Sequence, residues 1–465
     1  MSTLTFKVPD IHYGYYLIIP HPSEKKFLMV KEILGWTLPH FIPDEHHRGV
    51  VDHINEAAYK QLKLRVSTCH AIDIDFDREL KRGSRAYIMD NLDPDWQPID
   101  RDMGWVSLSD METLELAVPK HIGLLRDWVN WIWTDKIDPA RVPWSRLGWF
   151  NQAETWIKDQ LGQIAVEVNN IRQMRSWVRS CVMVIETDST KFYFKAVPSM
   201  FSYEPVISRV LALRHPRNSP DVIAVDVENA WLLMREFEGT PLNRIIDLAM
   251  WENVLKTFAE IQIDLVPRTQ NLIGLGFPDR HVDQLVSQLD HLLADLPLYL
   301  NEEEVTELET YRNQLRDLCW ELLEYEIPLS LGHGDFWAGN VMVNMARCVF
   351  FDWSESSVTH PFFDLAFFMS GLNKYLSDNK TIFHRLRDAY LEPWVIYMEK
   401  EKLIQAFELA KPLTALHHVM IYKLIMLPTI EERAKWEMEK MISFWLRVLI
   451  DNMREYTAQN EQSSL

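Results

Sequence analysis

His333-Gly334-Asp335-Phe336-Trp337-Ala338-Gly339-Asn340, followed after the apolar run Val349-Phe350-Phe351 by Asp352-Trp353, is the stretch on which the reading of this chain turns. Phosphoryl transfer from a nucleoside triphosphate needs a carboxylate to orient and deprotonate the attacking hydroxyl, and oxygen ligands for magnesium. Asp335 and Asn340 stand at the D-x-x-x-x-N separation of a kinase catalytic loop, in which the acid faces the acceptor and the amide oxygen turns towards metal. Asp352 then supplies a second metal ligand. Alone, this spacing also describes a turn with a capping Asp and a polar Asn. Its setting strengthens it: Leu329-Ser330-Leu331 precedes the loop and Val341-Met342-Val343 follows, so acid and amide sit where strands hand the chain to a loop.

These residues resemble the aminoglycoside phosphotransferase and choline kinase superfamily, whose members carry a His-Gly-Asp-x-x-x-x-Asn loop, an apolar strand ending in Asp-Trp, and a Pro-x-x-Asp-Leu-Ala segment. The third is present as Pro361-Phe362-Phe363-Asp364-Leu365-Ala366. The resemblance implies an α+β, two-lobed, protein-kinase-like fold with a small β-rich lobe and a large helical lobe. It also implies magnesium, ATP or GTP as co-substrate, and structural support of the catalytic loop by Asp364 and His333. Trp337 is similar to the fructosamine kinase branch, where His-Gly-Asp-Leu-Trp is common, but one aromatic does not assign a substrate.

Upstream, Cys181 to Thr187, a turn at Asp188-Ser189-Thr190, and Lys191 to Val197 read as a hairpin whose second strand carries Lys195, the expected phosphate-pairing lysine. Lys191 lies at the turn. Glu204, in the next helix, is the natural partner for that lysine; the bland alternative is an acid favoured at a helix start. Ala230 to Leu242 resembles the family's inter-lobe hinge, with the backbone of Arg235, Glu236, Phe237 and Glu238 meeting adenine. A helical period through Trp251, Val254, Phe258, Ile261 and Gln262 resembles the helix that opens the larger lobe. One departure stands out: residues 172–180 contain no glycine where protein kinases place a glycine-rich phosphate loop. Ser180 or Arg179 is the candidate contact there.

The phosphotransferase-like region begins only near residue 150, and 465 residues suggest more than one domain. Residues 1–134 resemble a Nudix hydrolase in outline, an α/β/α arrangement of strands at 15–19, 26–30 and 85–89 with a helix around 55–63. Its chemistry does not match. A Nudix helix binds magnesium through several glutamates on one face, whereas the matching positions here hold Gln61, Leu64 and Arg65. The resemblance implies a fold without hydrolysis. Asp44, Glu45, Asp52 and Glu56 with His40, His46, His47 and His53 have no tight metal-ligand spacing and read as a solvated loop. The expected organisation is a Nudix-like domain at 1–134, a linker at 135–147, a small lobe at 148–238, a large lobe at 239–457 and a polar tail at 458–465.

A formal net charge of −19 with no compensating basic stripe argues against a nucleic-acid partner and suits a cationic or neutral acceptor. The four scattered cysteines fit a reducing cytoplasm, and no apolar run reaches spanning length, so no membrane partner is expected. Helical periodicity over 382–398, 403–427 and 430–453 marks the region where the family binds its acceptor; Trp337, Glu355, His417, His418 and Tyr422 are candidates, though mid-helix histidines are more often structural. The reading is a small-molecule kinase acting on a hydroxyl, with Asp335 as base. The alternative is a pseudokinase that binds a nucleotide or metabolite and signals through its extra domain.

Overall fold

The computed structural model describes residues 12–463, apart from 44–46, 78, 135, 346, 373–374 and 377–379. Asp44, Glu45 and His46 therefore lie outside the described residues. The chain is α+β and divides into two compact units, Thr3–Pro198 with Ile223–Glu236, and Ser199–Val222 with Phe237–Leu465.

In the first unit, the strands His12–Ile18, His40–Phe41, Val66–Asp77 and Arg82–Asn91 form a mixed sheet in which His12–Ile18 runs parallel to Arg82–Asn91. A second sheet pairs Lys26–Glu32 with Gly35–Thr37 and Met103–Ser107. Period-two alternation sends Tyr15 and Leu17 to one face, under the helix Asp52–Leu62, and Ile18 to the other, under the helix Lys120–Ile132. The first helix stops at Leu62 because Lys63 adopts a left-handed backbone (φ 53°), so Leu64 and Arg65 lie beyond it, and Arg65 pairs with Asp93 at 2.8 Å.

The same unit contains a five-stranded antiparallel sheet, in spatial order 222–226, 231–235, 191–196, 180–186, 170–177, backed by the helix Trp149–Gly162. Phe150, Ala153, Ile157 and Leu161 pack there against Met183, Ile185, Phe192 and Phe194. The stretch expected as a linker is packed: Trp144 is buried in this core, and the buried Arg141 bonds to the Ser145 carbonyl at 2.8 Å. At the sheet's edge Gly49–Val51 adds a short strand, with Ser176 N–H on the Gly49 carbonyl (2.9 Å) and Val51 N–H on Met174 (3.0 Å).

The second unit is mainly helical, with two small sheets at its centre: Ser330–Gly332 paired with Ser357–Thr359, and Val341–Asn344 paired with Thr240–Pro241 and Arg347–Phe350. Trp251, Val254, Phe258 and Ile261 of the helix Leu248–Leu265 are buried as their spacing predicts, and Phe258 stacks on Phe336 at 3.8 Å. The long helices differ from expectation in their breaks. Pro393 ends Lys380–Leu391 in a 3₁₀ turn, and Lys400–Met420 passes into a π-helical turn at Ile421–Met426. The polar stretch expected as a tail continues the helix Lys435–Ser463, since its Ala, Gln and Glu residues are good helix formers. Among the described residues, no helix is long and apolar enough to cross a membrane.

Candidate active site

Three elements of the second unit converge on the loop 333–340. Its entry is fixed by Asp364, at the start of the helix Phe362–Ser370: one carboxylate oxygen accepts the Gly334 N–H (3.0 Å), the other the His333 N–H (2.8 Å) and Gln262 Nε2 (3.0 Å). Burial pushes the Asp364 carboxyl up to about 7, against the pull of those three donors. His333 is fully buried; its Nε2 lies 3.0 Å from the Phe351 carbonyl, which can only accept, so Nε2 carries the proton and Nδ1 accepts the Asp335 N–H at 3.3 Å. One imidazole thus ties the segment before Asp352 to the backbone of Asp335.

Asn340 Nδ2 donates to Asp335 twice, to its carbonyl (2.9 Å) and its Oδ2 (3.0 Å). That fixes the sense of the amide, leaving Oδ1 as the end available to a cation. The Asn340 carbonyl accepts the Phe351 N–H at 3.2 Å, which sets Asp352 beside the loop. Asp352 has a left-handed backbone (φ 68°), and its Oδ1 accepts the Ser354 hydroxyl at 3.2 Å. An amide oxygen and a carboxylate are the hard donors magnesium takes when nucleotide phosphates and water complete its shell, so these residues fit the ion. The Trp337 indole lies over Gly339, where a Cβ would strike its ring.

Other expected residues fall elsewhere. Lys195 is a buried residue of the first unit on an inner strand, opposite Val182 and Leu232, whereas Lys191 is exposed at the turn. Ser180 closes a tight hairpin turn with Trp177, whose indole N–H it accepts at 2.9 Å. Of the hinge backbone, the Glu236 N–H is already given to the Lys191 carbonyl (2.9 Å) and the Glu238 carbonyl to Asn344 (3.2 Å). Arg235 turns its guanidinium over the Phe192 ring.

In the second unit, Glu204 opens the helix Glu204–Arg214 and is buried. Glu355 is also buried, and its carbonyl accepts from Arg280 at 2.9 Å. His417, His418 and Tyr422 are core residues of the helical region: His417 packs on Phe363 and His418 stacks on Trp445 at 4.1 Å. Aromatic packing, rather than an open acceptor surface, accounts for their place. Tyr203, Gln262, Arg280 and Tyr390 escape a reading of the sequence, because each acts through tertiary contacts with backbone or buried amides far away in the chain.

Residues 206–400 match the model of the phosphotransferase enzyme family, so this part of the chain carries a phosphotransferase domain. Among solved structures, the chain is similar to choline kinase LicA from Streptococcus pneumoniae (14% identity, TM-score 0.45, covering 64% of this chain and 99% of that one). It is also similar to a fructosamine-3-kinase from Thermobifida fusca, so described provisionally (18%, TM-score 0.43, 65% and 99%), and to spectinomycin phosphotransferase APH(9)-Ia in complex with ADP and spectinomycin (11%, TM-score 0.43, 64% and 98%). No curated protein sequence matches the chain.

Proposed function

We propose that the protein is an ATP- or GTP-dependent phosphotransferase acting on a hydroxyl of a small molecule. The observation that carries the reading is the Asn340–Asp335 pair, which orients a carboxylate and an amide oxygen at once. Asp335 accepts the proton of the acceptor hydroxyl as its oxygen attacks the γ-phosphorus and the nucleoside diphosphate departs. Asn340 and Asp352 would hold magnesium, which when bound neutralises phosphate charge. His333 and Asp364 keep the loop in place. Lys195 is assigned to the nucleotide phosphates, Glu204 to support of that lysine, and the Phe237 backbone to the base. Residues 12–134 are read as a Nudix-like domain without hydrolysis: the helix ends at Leu62, its acids Asp52 and Glu56 are paired with Arg172 and Lys60, and Arg65 beyond it is engaged with Asp93. The four buried, unbonded cysteines suit a cytoplasmic setting.

The tight Trp177–Ser180 turn, with no glycine to let backbone approach phosphate, favours a second reading as a pseudokinase that binds a nucleotide or metabolite without phosphoryl transfer. Calorimetry followed by turnover on an acceptor panel separates the two. Magnesium-dependent ATP or GTP binding by the wild type that is lost in Asp352→Asn supports the enzyme and licenses an acceptor panel; binding of neither nucleotide defeats it. With an acceptor in hand, Asp335→Ala should lower turnover roughly a hundredfold or more while nucleotide binding persists.

A further inference from the structure

The segment that follows Asp352 is held by its own carbonyls. Tyr203, the residue before the helix Glu204–Arg214, donates its hydroxyl to the Ser354 carbonyl at 2.8 Å. Arg280 donates Nη1 to the Glu355 carbonyl at 2.9 Å. His333 takes the Phe351 carbonyl on the other side of Asp352. Three buried side chains from distant parts of the chain thus pin the backbone at 351, 354 and 355 around a residue with a left-handed φ of 68°. Aspartate enters this region more readily than most L-residues, yet still at a cost that the surrounding contacts offset.

Arg280 is the unusual member. Only 1% exposed, it has Nε and Nη2 without a hydrogen-bond partner among the described residues, and burial pulls its pKa down. A chain that needed only to fill this volume would use an apolar side chain at lower cost. What the guanidinium obtains is the Glu355 carbonyl, and the same carbonyl is where a Cβ on Gly334 (φ 80°) would collide, one residue before Asp335. The backbone of Arg280 is anchored in turn: its N–H bonds to the Val358 carbonyl (2.9 Å) and its carbonyl accepts the Thr359 hydroxyl (2.8 Å), on the strand paired with Ser330–Gly332. The Tyr203 ring packs on Phe277, three residues before Arg280, so the two donors share one scaffold.

We propose that Tyr203 and Arg280 are positioning residues that together hold the 352–356 segment, so that the metal ligand Asp352, the loop before Asp335 and the start of the helix bearing Glu204 are set by one buried clamp. This rests on the phosphotransferase reading. Neither residue touches substrate; both act through Asp352.

The test compares wild type with Tyr203→Phe, Arg280→Met and Arg280→Lys by two readouts. The first is amide hydrogen exchange of peptides covering 352–357 in metal-free protein. The second is the magnesium concentration for half-maximal binding of ATP or GTP, whichever the wild type takes, by calorimetry. Tyr203→Phe is expected to speed exchange in this segment selectively and to raise the magnesium requirement about fivefold, with only the small fall in melting temperature that one lost hydrogen bond brings. Arg280→Met should do more, and Arg280→Lys, which keeps a donor, should recover part of the loss. Unchanged exchange and magnesium requirement in Tyr203→Phe overturn the proposal, as does faster exchange throughout the protein with no selective effect on magnesium. If Arg280→Met fails to fold, Tyr203→Phe and Arg280→Lys decide. A wild type that binds no magnesium nucleotide defeats the phosphotransferase reading itself and this inference with it, an outcome seen before any variant is made.

Discussion

At the scale of single residues, the site depends on which end of each polar group points where. Above about pH 7, where it has released its proton, Asp364 receives three N–H donors and offers only acceptors. In Asp364→Asn one of those oxygens becomes an NH₂ facing N–H groups, so the variant should lose roughly 2–3 kcal/mol of stability and, with it, the shape of the catalytic loop. Denaturant unfolding reads the first effect and turnover the second; an Asn variant as stable and active as wild type would remove Asp364 from its supporting place. The residues proposed to carry the chemistry could be picked out in the sequence because phosphoryl transfer demands fixed types at fixed short spacings, as at Asp335, Asn340 and Asp352. Tyr203 and Arg280 could not, for they grip backbone carbonyls 151 and 75 residues away, and a carbonyl has no sequence signature. His417 and His418, acceptor candidates whose apolar mid-helix setting favoured a structural place, pack on Phe363 and Trp445 in the core.

At the scale of elements, alternation and helical period located the hairpin carrying Lys195 and the helix Leu248–Leu265, because burial of one face writes itself into local pattern. Pairing between distant segments leaves no such trace. Gln173, in the edge strand Asn170–Trp177, reaches to the strand Val66–Asp77 of the same unit, accepting the Thr68 N–H at 2.7 Å and donating to the Thr68 carbonyl at 3.0 Å, while Asn55 donates to the same amide oxygen at 3.1 Å. Beside it, Arg172 forms an ion pair with Asp52. The side chain of Gln173 thus stands in for a missing strand, and Gly49–Val51 extends the same edge. Gln173→Leu keeps the volume but leaves both Thr68 backbone groups unpaired in a buried place, so it should cost roughly 2–4 kcal/mol, more than an ordinary polar-to-apolar exchange. Chemical denaturation measures that cost. A loss under 0.5 kcal/mol, the scale of an ordinary surface change, would mean the two parts of this unit adhere by apolar packing alone.

At the scale of the whole molecule, buried titratable groups set how folding responds to acid. Burial keeps His360 neutral down to about 3 and holds His417 well below the ordinary histidine range, whereas an unfolded histidine takes a proton near 6.5. Burial also holds a proton on Asp364 up to about 7, where an unfolded aspartate has released it above 3.8. His121, lowered to about 4, and Asp90, raised to about 6, oppose each other over the same range and nearly cancel. Between pH 4 and 6 the unfolded chain therefore binds one more proton than the folded chain through these groups, two histidines against one aspartate. Stability contributed by the histidines is present above 6.5 and is lost as pH falls, and the net slope is about 1.4 kcal/mol per pH unit. Carboxylates held low by ion pairs, such as Asp264 beside Arg214 and His215, add to the same trend at lower pH. Unfolding midpoints measured from pH 7 to 4.5 should accordingly decline. His417→Gln, which carries no proton in either state, should flatten the profile by about one proton's worth, about 1.4 kcal/mol per pH unit. An identical slope in that variant would mean that His417 takes up its proton inside the folded protein, which its packing against Phe363 in the helical core argues against.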